Sequence, residues 1–149
     1  MDKYTNEEKL LNILKNTYEY YTTDFIKDSL SEDMTYDSIW VIPQITSKKE
    51  YLEYLTPKLE AMKKSNIAIN SFMVYQEGNG RPHLIFTPTK QGSFGCFTLE
   101  EKNGLIKAIH LTPHNFYVPL GYKDTDAFER FIRHGNLKQK NVLKYLTSN

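Results

Sequence analysis

Tyr36, Ser38 and Trp40 place a phenol, a hydroxyl and an indole N–H at alternate positions of one β-prone run. Residues two apart share a face of a strand, so the three would form one wall of a concavity and orient a small ligand with a polar tip. His110 sits in a mostly apolar run, where an imidazole can serve as general acid or base near neutral pH, with Tyr36 as a hydrogen-bond donor. The plainer reading of His110 is a core histidine bonded to a tyrosine or a backbone carbonyl, because buried polar groups usually find partners. Cys96 has no evident helix N-terminus or basic neighbour to lower its pKa and reads as a small buried hydrophobe. His83 follows Pro82 at a turn. His114 lies four residues beyond His110, roughly 13 Å along a strand, too far to share one metal ion. The sequence contains no His-x-x-x-His helix, glycine-rich phosphate loop or serine elbow, so neither a metal nor a cofactor is expected.

These groups depend on a β-hairpin spanning residues 92–118. Asn103-Gly104 between two β-prone runs signals a two-residue type I′ turn, because both loop positions need positive φ. That loop sets Lys102 opposite Leu105, then Glu100 with Lys107, Leu99 with Ala108, Phe97 with His110 and Cys96 with Leu111. One face then carries Phe97, Leu99, Ile106, Ala108 and His110. The other carries Cys96, Thr98, Ile109 and Leu111, too apolar for solvent, which predicts a homodimer through the sheet.

Upstream, Thr5 and Glu8 form a capping box that opens a helix with an apolar stripe of Leu10, Leu11, Leu14, Tyr18 and Tyr21. Asp24 caps a short helix from Phe25 to Leu30. Met34 to Ile42 alternates as a strand, and Pro43 stops it. Ser47 and Glu50 open a helix to about Lys64 with Tyr51, Leu52, Leu55, Leu59 and Met62 buried, and Pro57 predicts a kink or break near Thr56. Residues 67–76 and 83–89 form a hairpin across a glycine-rich turn, with Pro88 marking the second strand as an edge or a bulge. Past Pro119, Asp124 to Ile132 and Leu137 to Leu146 read as a mildly basic helical tail.

The 149 residues suit one domain, with a cone-forming part at 1–119 and a C-terminal helical extension at 120–149 packed on it. Nineteen Lys and Arg against eighteen Asp and Glu leave a net charge of +1, which gives no electrostatic case for nucleic acid or an anionic membrane. No run of about 18 apolar residues and no signal-peptide pattern occurs, and a cytoplasmic protein is expected. Tyr and Phe are abundant, and aromatic residues make up 13% of the chain, enough to line a cavity with apolar surface and polar tips.

The order helix, short helix, strand, kinked helix and four antiparallel strands resembles the nuclear-transport-factor-2-like superfamily, in particular its SnoaL-like branch. The resemblance covers roughly Thr5 to Val118. It is carried by Leu30-Ser31-Glu32-Asp33-Met34-Thr35-Tyr36, by Ser47-Lys48-Lys49-Glu50-Tyr51-Leu52 and by Glu101-Lys102-Asn103-Gly104-Leu105-Ile106-Lys107. It implies an α+β cone in which a curved antiparallel sheet wraps N-terminal helices and leaves an apolar pocket. The pocket would be lined by Tyr18, Tyr21, Tyr36, Ser38, Trp40, Phe97 and His110. The superfamily holds isomerases, dehydratases, cyclases, epoxide hydrolases and non-enzymatic modules, so fold does not assign activity. In its ketosteroid-isomerase-like members a carboxylate base stands where this chain has Ser38, and an oxyanion-site acid stands in a strand that here reads Gly95-Cys96-Phe97-Thr98-Leu99. Both acids are absent, and Asp37 would serve only if a bulge turned it. Three readings follow: a binder of a small apolar or aromatic molecule, a cofactor-free lyase, isomerase or hydrolase using His110, and a non-catalytic dimerisation or interaction module.

Overall fold

The structure, a computed structural model, describes residues 3–38, 41–66, 69–75, 79–88 and 94–114. The apolar stripe near the N-terminus forms α1 (Thr5–Glu19), with Leu10, Leu11, Leu14 and Tyr18 buried at three- and four-residue steps. The expected capping box is not made: Thr5 is already helical and Tyr4 precedes it without a side-chain cap. The Glu8 carboxylate accepts instead from the Tyr75 hydroxyl, tying the start of α1 to the sheet. Of the expected helix from Phe25 to Leu30 only one 3₁₀ turn, Lys27–Ser29, is present. Its residues Lys27, Asp28 and Ser29 offer no apolar stripe, and Leu30 is drawn into β1 (Leu30–Ser38), where it pairs with Ile106.

The strand expected from Met34 to Ile42 is in fact two, β1 and the antiparallel β2 (Val41–Ile45), with Ser38 opposite Val41. Pro43 lies inside β2 and does not end it. β2 is an edge strand, where a missing amide donor can face away from the ladder, and the β1–β2 register shifts around this proline. Trp40 lies outside the described residues. Ser47 caps α2 (Lys48–Lys64) as expected, its hydroxyl accepting from the Glu50 amide at 3.1 Å. The helix continues through Pro57 without a break. Pro57 and Glu53, whose carbonyl loses its helical donor, are exposed, so solvent can take up the orphaned acceptor.

Strands β3 (Ile69–Tyr75), β4 (Pro82–Pro88), β5 (Phe94–Lys102) and β6 (Leu105–His114) complete a curved six-stranded sheet of order β2-β1-β6-β5-β4-β3. All neighbours are antiparallel except β1 and β6, which run parallel. β4 is interior and β3 is the edge, so Pro88 marks the end of a strand, opposite Ile69, and not an edge strand. α1 packs across β3, β4 and β5, while α2 packs on β1. The core lies between these helices and the sheet, around Leu11, Leu14, Met34, Tyr36, Leu55, Leu59, Phe97 and Ile109. The helical tail expected at 120–149, and with it the boundary at residue 119, lies outside the described residues.

The β5–β6 turn forms as expected: Asn103 and Gly104 have φ of 55° and 81°, and Lys102 faces Leu105. Beyond Glu101 the register departs from the ideal ladder. Glu101 pairs with Ile106 but Glu100 pairs with Ala108, leaving Lys107 as the extra residue of a β-bulge. Every later pairing moves by one, so His110 faces Thr98 and Phe97 faces Leu111. The bulge turns both Ile106 and Ile109 into the core, and Lys107 reaches Asp33 on β1 at 2.5 Å. The expected pairing of Glu100 with Lys107 is therefore replaced, Glu100 facing Ala108 and Lys107 pairing with Asp33.

Candidate functional site

On α2, Tyr51, Tyr54 and Lys58 stand three and four residues apart and so share one helical face. That face meets Tyr36 of β1. The Tyr36 ring lies 5.1 Å from Tyr51 and 5.5 Å from Tyr54, and Tyr51 and Tyr54 are 6.4 Å apart, all tilted as aromatic quadrupoles prefer. Tyr18 on α1 joins the group, packing on Phe97 at 5.5 Å. Lys58 bridges the two helices. Its ammonium donates to the Tyr54 hydroxyl at 3.0 Å and lies 5.3 Å above the Tyr54 ring and 6.0 Å above that of Tyr18.

Tyr18, Tyr36 and Tyr51 have almost no exposure, at 2%, 0% and 0%. Burial pushes all three phenols up from the ordinary value of 10.0, and neighbouring tyrosines add to the effect: Tyr51 and Tyr54 on Tyr18, Tyr18 and Tyr54 on Tyr36, Tyr36 and Tyr54 on Tyr51. The three therefore remain neutral hydrogen-bond donors at physiological pH. The Tyr51 hydroxyl is buried with no hydrogen-bond partner among the described residues. The Tyr36 hydroxyl too falls short of full hydrogen-bond geometry, with Tyr54 and Ser38 as its near partners. Such groups are rare in folded proteins, and each calls for a partner.

Tyr18, Tyr36, Ser38 and Phe97, all expected at the pocket, thus fall on the helix-facing side of the sheet, and Tyr21 packs beside the core. His110 does not. The bulge at Lys107 carries it to the opposite face, away from Tyr36 and Phe97. There its Nδ1 meets Asp37 Oδ1 at 2.7 Å and its Nε2 meets Glu100 Oε2 at 2.8 Å, a line of three side chains from adjacent strands β1, β6 and β5. Partial burial works against the imidazolium, but hydrogen bonds and charge from Asp37 and Glu100 outweigh it, and the His110 pKa is raised. With both ring nitrogens engaged by carboxylates, His110 has no free nitrogen to serve as a general base. Asp37 keeps its regular pairing with His110, so the irregularity nearby does not turn it inward.

Sequence reasoning placed Tyr51 in the α2 stripe without a functional role and passed over Tyr54 and Lys58. The available signal was their spacing, which puts two phenols and an amine on the helical face that meets β1. Among the described residues no group of His, Cys, Asp and Glu side chains is arranged to hold a metal ion, and no helix is long and apolar enough to cross a membrane.

No protein-family profile matches the sequence, and no curated protein matches it. The fold does match solved structures. A nuclear-transport-factor-2-like protein of unknown function from Mesorhizobium loti superposes with a TM-score of 0.61 at 7% identity, over 77% of this chain and 96% of that one. A steroid delta-isomerase from Pseudomonas aeruginosa gives 0.57 at 12% identity, over 74% and 81%. An LEH-like epoxide hydrolase from M. tuberculosis gives 0.50 at 12% identity, over 74% and 84%. The chain has the nuclear-transport-factor-2-like α+β fold.

Proposed function

We propose that this protein binds a small, largely apolar molecule among Tyr18, Tyr36, Tyr51 and Tyr54, through a hydrogen-bond-accepting group at the ligand's polar end. The observation that carries this reading is the Tyr51 hydroxyl, fully buried with no protein partner among the described residues. Folding a chain around an unsatisfied hydroxyl costs about 1 to 3 kcal/mol, a penalty that a bound acceptor removes. The phenols donate and the aromatic rings supply apolar contact, the usual division of labour in a ligand site. Ser38 and Phe97 extend the lining in this reading, with Tyr21 beside them; Trp40, expected there from the sequence, lies outside the described residues.

Known proteins of this fold include an isomerase and an epoxide hydrolase, so the fold admits turnover without assigning it. A His110-dependent reaction in this site is not part of our reading, because His110 faces the other side of the sheet between two carboxylates. A cytoplasmic location is a proposal on the sequence arguments above; a homodimer through the sheet is one too, but the bulge moves Ile109 and Leu111 from the expected outer face into the core, so that face is made by Cys96, Thr98, Ala108 and His110 instead.

A thermal-shift screen of small aromatic and polyketide-like compounds, followed by calorimetry of any hit, tests the reading. Tyr36→Phe and Tyr51→Phe should each weaken a hit several-fold, the worth of a neutral hydrogen bond of about 1 kcal/mol. Unchanged affinity in both variants would remove the tyrosine cluster as the site.

A further inference from the structure

We infer that the ligand of the tyrosine cluster is a monoanion, a carboxylate on an apolar body, with Lys58 as its counter-ion. The inference rests on the binding reading above and concerns what lies at the ligand's polar end. Lys15, Lys27, Lys48 and Lys107 each have a carboxylate within ion-pair distance. Partly buried Lys58 has none among the described residues, and its ammonium rests on a phenol oxygen and two aromatic rings. A half-buried cation with only neutral partners is incompletely compensated.

The remaining polar groups have the same bias. Lys58 carries three N–H donors, of which one reaches Tyr54; the Tyr51 hydroxyl is a donor with no partner among the described residues, and that of Tyr36 has only Tyr54 and Ser38 near it, in a setting where burial keeps both protonated. No carboxylate of the described residues is paired with this group. Donors therefore exceed acceptors around one positive charge. A carboxylate answers both deficits at once, since it is acceptor-only, offers two oxygens and cancels the charge. An alcohol or a primary amide would bring donors of its own into a site already rich in them. The apolar body follows from the setting, because the tyrosines share one buried core with Leu55, Leu59 and Phe97, and Phe97 packs on the Tyr18 ring.

The test uses the full chain and matched probes: benzoate, naphthoate and decanoate, each beside its carboxamide, titrated by calorimetry at pH 7 and at two salt concentrations. At least one acid should bind about tenfold tighter than its amide, the low end for a charge-assisted hydrogen bond because Lys58 is partly exposed and solvent-screened. Lys58→Met should erase that preference while leaving amide affinity nearly unchanged, and Lys58→Arg should restore most of it. Thermal melts of both variants verify folding. Acid and amide binding equally, or a preference that survives Lys58→Met, would overturn the anion assignment while the binding reading stands. If Tyr36→Phe and Tyr51→Phe both leave every probe's affinity unchanged, the binding reading itself fails and takes this inference with it.

Discussion

Replacing Tyr51 by Phe should make the ligand-free protein more stable, although the residue is a fully buried member of the core. Phe keeps the ring and so keeps the contacts with Tyr36 at 5.1 Å and Tyr54 at 6.4 Å, with no cavity created. What disappears is one hydroxyl with no hydrogen-bond partner among the described residues. Leaving such a group unsatisfied costs about 1 to 3 kcal/mol, and even the low end of that range, about 1 kcal/mol, sets the sign of the effect. For a domain of this size 1 kcal/mol moves Tm by roughly 2 to 4 °C. Circular-dichroism melts without ligand should therefore show a rise of about 3 °C for Tyr51→Phe, while the same variant loses affinity for any ligand of the site. Gain of stability with loss of binding marks a group retained for function against the interest of the fold. A Tm equal to or below that of the wild type would refute the reasoning, because it would mean that the hydroxyl is already satisfied in the unliganded protein.

Two further outcomes follow from the structure. Ser47→Ala removes the hydroxyl that accepts from the Glu50 amide and should lower stability by about 1 kcal/mol in urea denaturation, with Ser47→Gly costing less. His110 has a raised pKa in the folded chain, so its contribution to stability is fully present below the ordinary value of 6.5 and is lost as pH rises through the raised value. Stability measured across that window should fall with rising pH in the wild type, and this component should be missing in His110→Gln. An unaltered pH profile in the variant would exclude the Asp37–His110–Glu100 line as its source.

What the sequence made legible is what local patterns encode. The α1 stripe as far as Tyr18, the α2 stripe apart from half-buried Leu52, the Ser47 cap and the Asn103-Gly104 turn each depend on spacing within a few residues and appear as expected, while Tyr21 falls beyond the end of α1 at positive φ. What it hid depends on pairing across the sheet. Side chains alternate with a period of two, so a single extra residue in one strand reverses every assignment beyond it. Lys107 is that residue, and its cause is non-local: it reaches Asp33, more than seventy positions earlier, while Ile106 and Ile109 both turn inward. The ideal ladder puts His110 beside Phe97 in the pocket; the bulged one puts it beside Thr98, between Asp37 and Glu100. The same non-locality hid Tyr54 and Lys58, which acquire meaning only when α2 is laid on β1 and their phenol and amine meet Tyr36 and Tyr18. The chemistry of the site thus shifts from an imidazole that would exchange protons to phenols and an ammonium that hold them. A donor-rich, charge-bearing cluster is suited to fixing an acceptor in place, and ligand selectivity is therefore where its function should first be sought.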